Sequence, residues 1–228
     1  MIVLALDTAT TDLVAGIVDA RSGETLAEVV TPTRAHNELL VPTVMELLAS
    51  AGLAFTDLEA IVVGCGPGPF TGLRVGMATA SAFGQALGVP VHGVCTHDAV
   101  ALLVRGSSLI LTDARRREVY WARYSGGERV DGPNVIAPDQ LESGAVDVVS
   151  VPDHLRAKLP PALVEAAGTV TYEAPRAEAL VAAARATVRD LGAPGEPLVP
   201  LYLRRPDAKE PAAKPLSPAI PRVAVGEE

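Results

Sequence analysis

The chain opens on an uninterrupted apolar run, residues 2–6, that closes on Asp7. A run this short and this apolar predicts a strand buried on both faces. A polar turn, Thr8-Ala9-Thr10-Thr11-Asp12, leads into a second apolar run over residues 13–19. The turn Arg21-Ser22-Gly23-Glu24 then leads into a third strand over 25–30. Links this short predict antiparallel hairpins. The period then changes. Leu40, Val44, Leu47, Leu48 and Ala51 recur at i, i+4, i+7, i+8 and i+11, the stripe of an amphipathic helix. Pro32 and Asn37 bracket its start. Pro42 fits if the helix begins near Leu40 or Val41, where a missing N–H costs little. Gly52 stops the helix. Residues 60–63 form a buried strand, a glycine-rich helix follows, and residues 89–95 and 97–104 read as a strand and a short helix. The order β-β-β-α-β-α-β-α predicts a mixed sheet with helices on its faces.

The second half echoes the first. Residues 108–113 (SLILTD) are an apolar run ending in Asp, Ala114-Arg115-Arg116-Arg117 is a turn, and residues 118–124 alternate like a hairpin partner. Gly126-Gly127 and Asp131-Gly132-Pro133 read as turns, and residues 146–151 as a strand. An Ala-rich helix covers 177–191, stopped by Gly192 and Pro194, and residues 198–203 are a short apolar segment. From Pro206 the composition shifts to Pro, Ala, Lys and Glu, which cannot bury enough apolar surface to offset chain entropy. The predicted organisation is therefore an N-terminal domain over residues 1–104, a smaller C-terminal domain over 105–205 and a disordered tail over 206–228.

The central stretch, residues 62–88, is the most unusual. Its loop, GCGPGPFTG over 64–72, is held to one path by prolines that fix φ and glycines that permit positive φ. Thr71 is placed to cap the helix that follows. Along that helix Gly72, Gly76, Ala80, Gly84 and Gly88 recur every fourth residue, forming a ridge almost without side chains. Each interior glycine costs about 1 kcal/mol against alanine, so close backbone approach must offset it. Two partners fit: the chain's own sheet, or the helix of another protein.

Composition narrows the function. With 228 residues, 49% of them hydrophobic, the chain has a proper core. A net charge of −8 argues against this chain alone holding a nucleic-acid backbone. Cys65 and Cys95 lack CxxC spacing and a nearby histidine pair, and read as small buried hydrophobes in a reducing compartment. The N-terminus lacks a basic region followed by a long apolar stretch, and no run approaches the ~20 residues that span a bilayer. A cytoplasmic protein without a membrane role is expected.

Two Asp-terminated strands that turn into hairpins resemble the duplicated actin/Hsp70/sugar-kinase (ASKHA) architecture, an α/β fold of two domains, each a mixed sheet flanked by helices, here with the second domain reduced. In that architecture the two Asp-bearing turns, here Asp7–Thr10 and Asp113–Arg116, hold Mg²⁺ and the phosphates of ATP. LALDTAT at 4–10, GPGPFTGLRVGMATA at 66–80, LGVPVHGV at 87–94, TDARRREVYWARY at 112–124 and PLYLRR at 200–205 occur in that order. Together they resemble the TsaB (YeaZ) family of tRNA threonylcarbamoyladenosine biosynthesis. The resemblance implies a non-catalytic subunit that binds and supports a catalytic TsaD subunit together with the TsaE ATPase. It implies a homodimer through the same helical face when TsaD is absent, and tRNA contact only within the complex. The expected partner interface is Phe70, Thr71, Gly72, Arg74, Gly76, Ala80 and Gly84.

The residues fit a subunit without catalysis of its own. A paired-histidine metal site needs two imidazoles one helical turn apart. His36 has Pro32 and Leu40 at those positions, and His92, His97 and His154 are scattered. The first turn has Ala9 where a phosphate cradle wants glycine, the second has three arginines, and GPGPFTG lacks a GK[ST] ending. No catalytic, cofactor-binding or metal residue is expected, and ATP or ADP is expected only at the interface with TsaD. An ATP-dependent phosphotransferase and a metallopeptidase-like hydrolase of the same superfamily are the alternatives.

Overall fold

The computed structural model describes residues 1–142 and 144–204; the expected tail lies outside the described residues. The described residues form two five-stranded sheets of the same topology. In the first, β1 (Ile2–Asp7) pairs antiparallel with β2 (Asp12–Asp19), which pairs antiparallel with β3 (Glu24–Pro32). On its other side β1 runs parallel to β4 (Ala60–Gly64), and β4 to β5 (Val91–Val94). The helices α1 (His36–Ser50), α2 (Phe70–Leu87) and α3 (Thr96–Ala101) fall between and after these strands.

In the second sheet β6 (Ser107–Asp113) pairs antiparallel with β7 (Val119–Ser125), which pairs with β8 (Glu128–Ile136). β6 runs parallel to β9 (Val148–Ser150), and β9 to β10 (Thr169–Thr171). Two short helices, α4 (Asp153–Arg156) and α5 (Pro161–Ala166), join β9 to β10, and α6 (Ala177–Thr187) follows. The strand order around β1 is thus repeated around β6. Two such mixed sheets with flanking helices are the actin-like arrangement expected from the two Asp-terminated strands.

Alternation along β1 explains the layers. Leu4 and Leu6 join Leu40, Val44, Leu47, Leu48 and Leu73 on one face, under α1 and α2. Val3 and Ala5 join Leu180, Val181 and Ala184 on the other, under α6. A strand buried on both faces needs an apolar side chain at every position, which is why residues 2–6 carry no polar break. Alanine dominates α6 because the helix lies close to the sheet: a Cβ at Gly16 would collide with Ala177 Cβ. In the second sheet Leu109 and Leu111 pack with Leu155, Leu159 and Leu163, while Ile110 faces Val100 and Ala101 of α3. The α3 helix is therefore wedged between the sheets.

Several expectations are corrected. The α1 helix begins at His36, so Pro42 lies inside it. Both Pro42 and Glu38, whose carbonyl loses its donor, are exposed, so the break in the helix falls on its solvent side. Asp131-Gly132-Pro133 is not a turn but part of β8, where the pairing with β7 slips near Arg123. The helix expected to reach 191 ends at Thr187. It also returns to the first sheet, not the second. The α4, α5 and β10 elements had no clear pattern, being only 4, 6 and 3 residues long.

Candidate functional site

A cleft of about 540 Å³ opens between the two sheets. Both hairpin turns contribute to it. The first turn gives Thr8, Thr10 and Thr11, and the second gives Asp113, Arg115, Arg116 and Arg117. The starts of α1 and α2 supply Arg34, His36, Asn37, Thr71 and Gly72, and the α4 region supplies His154 and Lys158.

The turns converge because the central loop is clamped from both sides. Thr8 Oγ1 donates to the Gly72 carbonyl at 2.7 Å and accepts the Gly76 N–H at 3.0 Å. Its hydroxyl is inserted into the first turns of α2. A Cβ at Gly76 would sit 2.5 Å from that oxygen, and one at Gly68 would run into the Ala9 backbone. From the second sheet, the Tyr120 hydroxyl donates to the Gly68 carbonyl at 3.3 Å. LDTAT, GPGPFTG and REVY thus meet at one place.

The glycine ridge is spent on this packing. Gly76, Ala80 and Gly84 are buried, and a Cβ at Gly84 would collide with Val91. The first of the two readings, approach by the chain's own sheet, accounts for these residues; as an outward docking ridge they are corrected. Gly72 is half-buried against the Thr8 carbonyl. Thr71 does not cap α2: Pro69 is the N-cap, no side chain caps the helix, and Thr71 is exposed. Phe70, Thr71 and Arg74 remain on the surface. Phe70 stacks on Tyr202 with ring centroids 5.2 Å apart, and the Arg74 guanidinium lies 4.2 Å from the Phe70 centroid. Arg74 Nε–H donates to the Tyr202 hydroxyl at 3.2 Å, and the Leu201 N–H donates to the Cys65 carbonyl at 2.9 Å. Residues 198–202 thereby strap the C-terminal end of the described chain to the central loop. PLYLRR signalled this segment, but only the fold reveals its function.

The acidic groups of the two turns are engaged within the protein. Asp7 is fully buried and absent from the cleft wall. One of its oxygens accepts the Ala9 N–H at 2.7 Å and the other the Thr96 hydroxyl at 2.7 Å. Burial pushes its carboxyl up to about 6, against the lowering pull of those two bonds. A Cβ at Gly64 would overlap the same carboxylate, so glycine there is what admits it. Asp113 accepts the Arg115 N–H at 2.6 Å and pairs with His154 Nε2 at 3.0 Å. Asp12 is bonded by the Tyr172 hydroxyl.

The second turn holds an unusual backbone. Arg115, Arg116 and Arg117 have φ of 59°, 51° and 68°. Left-handed conformation costs a residue with a Cβ about 1–2 kcal/mol, so three in succession are a local strain. Arg204 pairs with Glu118 and reaches the Ala114 carbonyl at 3.4 Å, bracing the base of this turn. Burial lowers the His36 pKa, and the Arg115 charge adds to that lowering.

His97, on α3, is fully buried and bonded to Thr112 at 2.9 Å. Burial pushes its pKa down to about 3, with the Arg129 charge acting in the same direction. Cys65 and Cys95 are both raised to about 12, first by burial, so both are thiols rather than thiolates. Among the described residues no cluster of three His, Cys, Asp or Glu side chains is placed to share an ion, and no helix is long and apolar enough to cross a membrane.

Two equivalent mixed sheets, flanked by helices and facing each other across a cleft lined by paired hairpin turns, place the chain among the actin-like α/β proteins. The family model described as "TsaD: tRNA N6-adenosine threonylcarbamoyltransferase" matches residues 24–149, just over half of the chain. Relatives at higher identity are uncharacterized proteins. One from Mycobacterium leprae is 52% identical over 91% of this chain and 56% of its own length. One from Mycobacterium tuberculosis is 50% identical over 91% and 93%. The Escherichia coli tRNA threonylcarbamoyladenosine biosynthesis protein TsaB is 34% identical over 56% of this chain and 57% of its own. A crystal structure from Pseudomonas aeruginosa, described as similar to peptidase YEAZ, superposes with a TM-score of 0.73 at 28% identity, covering 89% of this chain and 99% of that one. The chain belongs to the TsaB (YeaZ) family. It spans little more than half the length of the M. leprae and E. coli relatives.

Proposed function

We propose that this chain acts in the formation of N6-threonylcarbamoyladenosine in tRNA, as a non-catalytic partner that binds and supports a TsaD-type subunit together with a TsaE-type ATPase. The names of the E. coli and Bacillus subtilis relatives support the pathway. The sealed Asp7 supports the non-catalytic part: its carboxylate is fully buried, is absent from the cleft wall and already accepts a hydrogen bond on each oxygen, which leaves it badly placed to hold a metal–phosphate group in the cleft. The chain alone accordingly binds Mg-ATP weakly or not at all, and any nucleotide belongs to the interface with the TsaD-type subunit. Its setting is the cytoplasm. The test is a reconstituted threonylcarbamoylation of tRNA with and without this chain. Product is expected only in its presence, with no modification or ATP hydrolysis by the chain alone. Equal product without it would overturn the reading.

The partner face consists of Phe70, Thr71 and Arg74 with the exposed side of α1, where Leu39, Val41 and Met45 are 40%, 39% and 56% exposed. Apolar side chains at a helix surface gain by being covered. The same face serves a homodimer when the TsaD-type subunit is absent. Met45→Glu should weaken association with that subunit at least tenfold, about 1.4 kcal/mol, because a charge is then buried in the contact. The unfolding midpoint should stay at the wild-type value, since Met45 lies outside the core. Unchanged affinity in a titration monitored by sedimentation would remove α1 from the interface.

A further inference from the structure

The cleft carries a charge that docking on another protein does not require. Arg34, Arg115, Arg117 and Lys158 all line it, and none of the four makes an ion pair with a described residue. Arg116 is engaged in a contact of its own. Asp113, the carboxylate in the cleft wall, is already bonded to His154 Nε2 at 3.0 Å and to the Arg115 N–H at 2.6 Å. A protein with a net charge of −8 has thus gathered uncompensated cations in one concave place. Three further features point the same way. The α1 and α2 helices, 15 and 18 residues long, both begin at the cleft, and neither has a side-chain cap on its first-turn N–H groups. The N-terminus of a helix favours an anion. The hydroxyls of Thr11 and Thr33 add polar groups along the wall. Finally, the turn that presents Arg115 and Arg117 is held in a left-handed conformation glycine would adopt freely; strain of this kind clusters at functional sites.

We propose that this cleft binds phosphates of a ribonucleic acid backbone directly, through Arg34, Arg115, Arg117 and Lys158, without a bridging divalent cation. Arginine forks suit phosphate oxygens, and the carboxylates of the two turns are committed elsewhere. The choice of RNA as the source of the phosphates rests on the tRNA reading above.

The experiment titrates the full chain with an unmodified tRNA transcript at low ionic strength, in EDTA, with inorganic tripolyphosphate and Mg-ATP as separate arms. The wild type should bind the tRNA without magnesium, with affinity falling as salt rises. The double variant Arg115→Gly/Arg117→Gly should lose at least tenfold in affinity and about two in the salt slope. Its melting midpoint should not fall, because glycine relieves the positive φ. Lys158→Ala, on an exposed position, should weaken binding with a smaller salt-slope change. Absence of tRNA binding, equal binding by both variants, or binding of tripolyphosphate or Mg-ATP alone would each overturn the proposal. The reconstituted assay keeps the two readings apart. If the chain is needed there while its cleft ignores tRNA, the cleft proposal fails alone. If the cleft binds tRNA and the chain is dispensable there, the functional reading fails.

Discussion

Gly76→Leu should cost the protein about 3 kcal/mol or more, not merely detach a partner. In an exposed helix the change would gain about 1 kcal/mol from helix propensity. Here the first added carbon already sits 2.5 Å from Thr8 Oγ1 and 3.6 Å from Val63. The rest of the leucine has no room between α2 and β1. Overpacking of a tight contact costs about 1–3 kcal/mol. Displacing Thr8 also breaks its bonds to Gly72 and Gly76, each worth about 1 kcal/mol. Domains of this kind are stable by only about 5–15 kcal/mol, so the urea midpoint should fall steeply. Ala78→Leu, on the exposed side of the same helix, should leave it within about 0.5 kcal/mol of wild type. A Gly76→Leu protein that unfolds at the wild-type midpoint would mean that the ridge does not face the sheet.

Asp7→Asn should stabilise the protein at pH 7 and unmask an acid-sensitive histidine. Two buried groups titrate oppositely. Asp7 is raised from 3.8 to about 6 by burial. Between those values the folded state keeps a proton that the unfolded state releases, so stability is full below 3.8 and falls as pH rises through 6. The shift corresponds to about 3 kcal/mol. His97 is lowered from 6.5 to about 3, chiefly by burial. There the unfolded state takes the proton, so stability is full above 6.5 and falls on acidification, by about 5 kcal/mol once pH 3 is reached. From pH 6 to 4 the two nearly cancel, and the wild type should show a flat stability profile with a steep loss below 4. The asparagine variant keeps the acceptor for the Ala9 N–H, and its amide can donate to Thr96. Its urea midpoint at pH 7 should rise, and its stability should decline continuously below pH 6.5. A variant no more stable than wild type at pH 7 would show that Asp7 is not held against its charge.

Much of the fold was legible because it rests on local pattern. The apolar run before Asp7 and its echo before Asp113 marked the two strands from which both sheets are built. Short polar links marked the hairpins, and the stripe Leu40–Val44–Leu47–Leu48 marked the buried side of α1. The weak signals failed for physical reasons. Proline is best tolerated in a helix's first turn, which favours a start near Leu40 or Val41, whereas here Pro42 sits inside the helix on its exposed side. Asp131-Gly132-Pro133 carries turn residues, yet a strand with slipped pairing accepts them.

The candidate site was less legible. The glycine ridge was visible, but a period of four shows only that small residues share a face, not what lies against it. Thr8 and Gly76 are 68 residues apart, and their bond turns the ridge inward. The acid of the first turn was visible too, but its sealing by Thr96, 89 residues away, was not. Nor did Arg115–Arg117 announce a left-handed turn, since arginine has no preference for it.

Alternation, period and turn chemistry by themselves determined that this protein is a duplicated α/β chain with two Asp-bearing turns and a glycine-rich central helix. Those features are set by neighbours a few residues apart. Only the tertiary structure decided that the ridge packs on its own sheet, that α6 returns to the first sheet, and that five basic side chains meet across one cleft. Each of these depends on which surfaces cover one another, and that is settled by shape and burial across the whole chain, not by order along it.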